Sequence, residues 1–80
     1  VLNNGVGINI EQVDDSAVLH VFSNDRGVLI PRVSLQGCSD RVTILDPALS
    51  LLVFNTNGSD SLDIGYVYFD GTDWRNFRFQ

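Results

Sequence analysis

The apolar residues of this chain come in short runs, and each run is soon cut off by a cluster of turn formers. The clusters read SNDRG at 23–27, QGCSD at 36–40, NTNGSDS at 55–61 and DGTD at 70–73. Gly, Asn, Asp and Ser favour turns because they tolerate positive φ or hydrogen-bond to their own backbone. What fits between such clusters is a short strand rather than a long helix. Residues 6–10 alternate weakly, and residues 17–22 (AVLHVF) read as a strand with Val18, His20 and Phe22 on one face. Residues 27–35 read as a second strand interrupted at Pro31, and RVTIL at 41–45 as a third. Residues 49–54 (LSLLVF) are the most apolar, so both faces of the stretch 51–54 are expected to be covered. Residues 64–69 and 74–79 flank DGTD, a strong hairpin signal that places Gly71 at positive φ. In the last strand, Trp74, Asn76 and Arg78 should share one face, with Arg75, Phe77 and Phe79 on the other.

Residues 27–33 (GVLIPRV) pose a difficulty. Proline donates no hydrogen bond to a ladder and is confined to edges, strand starts and bulges. Arginine is rarely buried unless paired. Both interrupt an otherwise apolar strand. An edge position resolves the proline, but an apolar edge in water invites aggregation unless something covers it. The economical solution is a neighbouring chain.

Size points the same way. A chain of 80 residues forms one domain, expected to span residues 1–80, and buries only roughly 60–65% of its unfolded surface. Small domains often add disulfides, metals or oligomerisation. An internal disulfide is excluded because Cys38 is the only cysteine. With His20 it is also the only soft ligand, which argues against zinc. Oligomerisation is left. The chain opens on Val1 and reads as a processed product or as one segment of a longer polypeptide.

The charge is 5 basic residues against 10 acidic, a net of -5. That argues against nucleic acid and against an anionic membrane face. No stretch approaches the roughly 18 apolar residues of a membrane span. All the basic residues are arginine, and Glu11 is the only glutamate. The polar positions are therefore held by poor helix formers, which favours an all-β chain.

Several residue sets invite a chemical reading. Ser16, His20 and Asp14, Asp15 and Asp25 supply the types of a hydrolytic triad, but types without geometry carry little, and a packed imidazole is the favoured reading of His20. NTNGSDSLD at 55–63 resembles part of a calcium loop, yet it lacks the glutamate of an EF-hand and occurs once. It is read as a solvated connection. Tyr66, Tyr68 and Trp74 could stack on a sugar, but Tyr66 and Tyr68 alternate with Val67 and Phe69 as a half-buried strand should, and packing is the favoured reading. No cation lies next to Cys38 to activate its thiol. No catalytic residue, metal site or cofactor is expected.

The order of the pieces resembles a segment common in phage tail-fibre proteins and in large surface proteins of Bacteroidetes. Gly5-Val6-Gly7-Ile8 resembles its VGIGT opening, and Leu19-His20-Val21 its LHV strand. SNDRGVLIPRV at 23–33 is similar to its S-x-x-K-G-x-L-x-P-R-M element, with Arg26 and Val33 at the usual lysine and methionine. DPALSLLVFNT at 46–56 resembles its x-P-A-T-G-L-L-V-Y-N-T element, with Ser50 in place of the glycine. YVYFDGTDW at 66–74 resembles its closing element. Residues 34–45 diverge most. The resemblance implies a trimeric fibre or adhesin in which three chains pack round an axis. It implies no enzymatic activity.

The expectation is thus an all-β fold: a small antiparallel β domain of short strands and hairpins, assembled as an intertwined homotrimer. Its expected role is a structural module of a phage tail fibre that joins or ends the fibre and contributes to host attachment. The alternatives are a bacterial surface adhesin module and a glycan-binding fibre tip. Gly27, Leu29, Ile30, Pro31, Arg32 and Val33 are the expected interface, and Tyr66, Tyr68 and Trp74 the candidate glycan contacts. The expected partners are further copies of the chain, neighbouring fibre segments and a host surface glycan, with no nucleic acid and no membrane insertion. The expected location is the virion or an extracellular surface.

Overall fold

The computed structural model describes residues 4–77. Within them the chain forms only short strands: β1 (Val6–Ile8), β2 (Leu19–Val21), β3 (Arg32–Val33), β4 (Leu52–Asn55), β5 (Gly65–Phe69) and β6 (Trp74–Asn76). No helix occurs among the described residues. The expected all-β architecture is present.

The strands make two separate sheets, β1-β2 and β3-β4-β5-β6. β4, β5 and β6 form an antiparallel meander in which Val53 faces Val67 and Phe69 faces Trp74. The pairings β1 with β2 and β3 with β4 are parallel, which the hairpin-based reading does not foresee. A parallel neighbour requires a crossover. Residues 34–51 supply it for β3 and β4, and they carry Leu35 into the core at 0% exposure.

Period two decides which side chains are inside. Val53, Val67, Phe69 and Trp74 point to one face of the sheet, where Leu35 and Leu62 complete the buried cluster. Val33, Cys38, Ile44 and Leu51 pack around it. Phe69 and Trp74 meet edge to face at 5.3 Å. Complete cover of the stretch 51–54 does not occur: Val53 is 4% exposed but Leu52 is 37% exposed. The chain supplies one covering layer, so only one face of the sheet is closed.

The DGTD hairpin forms as expected, with Gly71 at φ 100°. The Asp70 carboxylate accepts the N–H groups of Thr72 and Asp73, each at 2.8 Å, and the Asp70 N–H donates to the Asp73 carbonyl at 3.0 Å. Arg78 and Phe79, expected on the last strand, lie outside the described residues.

Two expected strands are not formed as read. Of residues 27–35 only Arg32 and Val33 join a sheet. Pro31 has no N–H to extend the ladder, and residues 27–30 find no neighbouring strand among the described residues. RVTIL at 41–45 is a turn. One Asp40 carboxylate oxygen accepts the N–H groups of Val42 (2.9 Å) and Thr43 (3.0 Å). The other accepts the Thr43 hydroxyl at 2.6 Å and the Gln36 N–H at 2.9 Å. These local bonds outweigh the β-preference of Val, Thr and Ile. The turn is then tied to the hairpin: the Trp74 indole donates to the Asp40 carbonyl at 2.7 Å, and Arg41 donates to the Thr72 carbonyl while lying over the Phe69 ring.

The amino-terminal arm contrasts with this packed sheet. β1 and β2 pair in parallel with Val6, Ile8, Leu19 and Val21 exposed, and the first buried residue of the described chain is Leu35. The molecule extends 46 × 27 × 27 Å with a radius of gyration of 15.6 Å, against about 12 Å expected for a compact domain of this length. The arm is held by backbone bonds and by a few polar side chains. Asn9 donates to the Phe22 carbonyl at 2.9 Å, and the Asp14 N–H donates to His20 Nδ1 at 3.0 Å.

Candidate subunit interface

Residues 27–33 lie where an edge would be, and they are open. Nothing lies within 4 Å of where a side chain on Gly27 would begin, and Leu29 is 83% exposed. Pro31 is exposed and Ile30 half-buried. Val33 is the one of the six whose side chain packs on the core. β3 is the edge strand of its sheet. The Pro31 carbonyl accepts the Phe54 N–H at 2.9 Å and the Val33 carbonyl accepts the Thr56 N–H at 2.8 Å. Alternate residues of a parallel strand bond to the same neighbour, so Arg32 between them turns its own N–H and C=O to the open edge. Its guanidinium makes no ion pair among the described residues; those found are Arg26–Asp25 and Arg75–Asp70.

Arg32 is register partner to Phe54, and Phe54 to Tyr66. Partners across a ladder share a face, so Arg32 borders the open side of the sheet. That side is largely apolar, though Arg75, the register partner of Tyr68, shares it with its ion pair to Asp70. It carries Leu52, Phe54, Tyr66 and Tyr68, with Phe77 just beyond β6. Phe54 meets Tyr66 edge-on at 5.1 Å, and Phe77 lies 5.6 Å from Tyr68 and 6.3 Å from Tyr66. Of this surface the sequence reading singled out only Tyr66 and Tyr68, as candidate sugar contacts. Its signal was there: in β4 and β5 both alternating sets are apolar, which one covering layer cannot bury.

Of the three candidate glycan contacts, Tyr66 and Tyr68 are exposed, but Trp74 is 1% exposed and its indole N–H is already used by Asp40. Trp74 is a core residue and presents no surface to a sugar. Ser16, Asp14 and His20 do come together, yet not as a triad. The Ser16 hydroxyl donates to Asp14 Oδ1 at 2.6 Å, and His20 accepts the Asp14 backbone N–H. The serine thus bonds to the carboxylate rather than to the imidazole that would have to activate it. The Ser16 hydroxyl, and then its N–H, hold the Asp14 carboxyl below the usual range.

The stretch 55–63 is more structural than a solvated connection. Asn55 ends β4 and is fully buried. Its side-chain oxygen accepts the N–H groups of Leu35 (3.0 Å) and Asn57 (3.2 Å). Its amide donates to the carbonyls of Asn57 (2.8 Å) and Asp63 (2.9 Å). Asn57 adds a bond to the Leu35 carbonyl at 2.8 Å. One side chain thereby joins the crossover, the end of β4 and the approach to β5. Only an amide of this length offers two acceptor and two donor positions together. Sequence reading missed Asn55, whose only signal was a polar residue closing an apolar run. With both its atoms occupied, Asn55 is not free to hold a cation. The described residues contain no group of three or more His, Cys, Asp or Glu placed to share one.

Charge elsewhere reinforces turns. The Asp73 N–H, the Arg75 guanidinium (2.7 Å) and the Thr72 N–H pull the Asp70 carboxyl down to about 2. The same contact raises Arg75. The Thr43 hydroxyl, followed by backbone N–H groups, holds Asp40 well below the ordinary carboxylate range. Cys38 is half-buried, with its N–H bonded to the Ser61 hydroxyl at 3.0 Å and its carbonyl to the Trp74 N–H at 2.7 Å.

The arrangement is thus a packed sheet with one bare aromatic face, an unpaired edge and an arm without a core. Comparison with curated proteins and with solved structures returned no match. A protein-family profile, described as the phage tail like trimerisation region, matches residues 7–79. That match spans nearly the whole chain, and the chain belongs to the phage tail like trimerisation region family.

Proposed function

We propose that this chain is the trimerising module of a phage tail fibre, that it joins or ends the fibre, and that it contributes to host attachment as part of the virion. The observation that carries the reading is the arm. A two-stranded sheet without cover is marginal in water, and this one is parallel, with no buried residue among residues 4–34. In a trimer, neighbouring copies cover its apolar side chains. The same neighbours cover Leu29, Ile30 and Pro31 beside the edge of β3, and an acceptor on one of them takes the Arg32 guanidinium. Residues 27–33 then lie at the subunit interface, and the elongated shape suits a segment joined end to end with other fibre segments.

The test is the mass in solution, by analytical ultracentrifugation at micromolar concentration. A trimer is expected. A folded monomer with β1 and β2 still paired would refute the proposal.

A further inference from the structure

We infer that the open face of the four-stranded sheet, carrying Leu52, Phe54, Tyr66, Tyr68 and Phe77, is buried against further copies of this chain. It thus forms the aromatic centre of the assembly and is not a ligand platform. The inference rests on the trimeric reading above and adds the surface that reading leaves unassigned.

Three observations support it. The face is continuous with the edge at β3, because Arg32 and Phe54 are register partners. It also runs the full width of the sheet, from Arg32 on β3 to Phe77 beyond β6. In a closed trimer each copy touches two others, and a surface reaching both margins of the sheet can do that where a single edge cannot. Finally, the chain itself lays no covering layer over these apolar side chains, and the only charged group among them, Arg75, is already paired with Asp70. Contiguous apolar surface of this kind marks an interaction site. The tyrosine hydroxyls supply the polar atoms that a buried aromatic cluster needs. Arg32 at the margin supplies donors to a neighbour's carbonyl or tyrosine oxygen.

The competing occupant is a sugar, which Tyr66 and Tyr68 would stack upon if they stayed accessible in the assembled protein. Composition makes the distinction simple. Tyr66 and Tyr68 are the only tyrosines, so bulk tyrosine reactivity reads this face alone. The wild-type chain is treated with tetranitromethane at a concentration where its mass has been measured, beside a sample unfolded in guanidinium. Loss of nitration in the trimer, with full nitration of the unfolded sample, is expected. A trimer whose tyrosines nitrate freely overturns the inference and leaves the trimeric reading standing. A monomer overturns the trimeric reading, and the inference with it.

Variants provide the second arm. Tyr66→Glu is expected to lose the trimer, because it places a charge in the aromatic centre, whereas Tyr66→Phe keeps it. A Tyr66→Glu protein that sediments as a trimer overturns the inference even if the wild type resists nitration. If Tyr66→Glu fails to fold, the nitration of the wild-type trimer decides.

Discussion

Replacing Asn55 by alanine should be the most damaging single polar substitution in the described chain, and its magnitude follows from four hydrogen bonds. The Leu35 N–H that Asn55 accepts belongs to a fully buried residue. Leaving such a donor unsatisfied costs about 1–3 kcal/mol. The other three partners, the Asn57 N–H and the carbonyls of Asn57 and Asp63, are partly buried. Water can reach them in part, so each loses about 0.5–1.5 kcal/mol. The sum is about 2.5–7.5 kcal/mol, against about 4–12 kcal/mol for the whole stability of a domain this size. Asn55→Asp should not rescue the fold. It keeps the acceptor for Leu35 and Asn57 but turns a second oxygen toward the two carbonyls. Asn57→Ala removes one side-chain donor, at 2.8 Å from the Leu35 carbonyl, and should cost about 1 kcal/mol. The assay is guanidinium unfolding at fixed protein concentration, followed by the fluorescence of Trp74, the single tryptophan. An Asn55→Ala midpoint equal to that of Asn57→Ala would show that the amide is not the junction described.

Ser50 stands at φ 76° where the resembling segments carry glycine. Side chains are disfavoured there by about 1–2 kcal/mol, so Ser50→Gly should raise stability by about 1 kcal/mol after the entropy of glycine is subtracted; an unchanged or lower midpoint would contradict this. The Asp70 carboxyl is lowered from 3.8 to about 2, so the native state binds its proton more weakly than the unfolded chain. That stabilisation is complete above about pH 4 and is lost as pH falls towards 2. Melting temperature against pH should show the decline, and Asp70→Asn should flatten it. Arg32→Leu should weaken the trimer by about 2 kcal/mol or more, the usual effect of removing one partner of a buried charged contact. Trp74 emission should stay unchanged, and sedimentation across a dilution series reads the loss.

Much of the sheet was legible because it is local. The hairpin at 70–73 follows from Asp70, whose side chain caps the turn, and from Gly71, which tolerates its backbone. The alternation of Val67 and Phe69 with Tyr66 and Tyr68 separates the two faces as period two requires, without saying which is inside. Pro31 announced an edge, and β3 is one. The errors were also physical. RVTIL has strand-forming residues, but a single carboxylate, Asp40, holds it in a turn through bonds that propensity does not count. Trp74 was named as a candidate sugar contact although packing was the favoured reading of these aromatics, and its burial agrees with packing.

By itself the sequence determined the class of fold, the hairpin turn at 70–73 and the edge at Pro31. Each of these depends on the chemistry of a few adjacent residues. Tertiary structure decided the rest: the parallel pairing of β3 with β4, the burial of Asn55 among three distant segments, and which apolar set faces the core. β4 and β5 are apolar on both sides, so either set could have been buried. The choice was made by Leu35 and Leu62, which lie on segments outside the sheet and close one face only. The other face stays open because no second segment of the described chain packs over Leu52, Tyr66 and Tyr68.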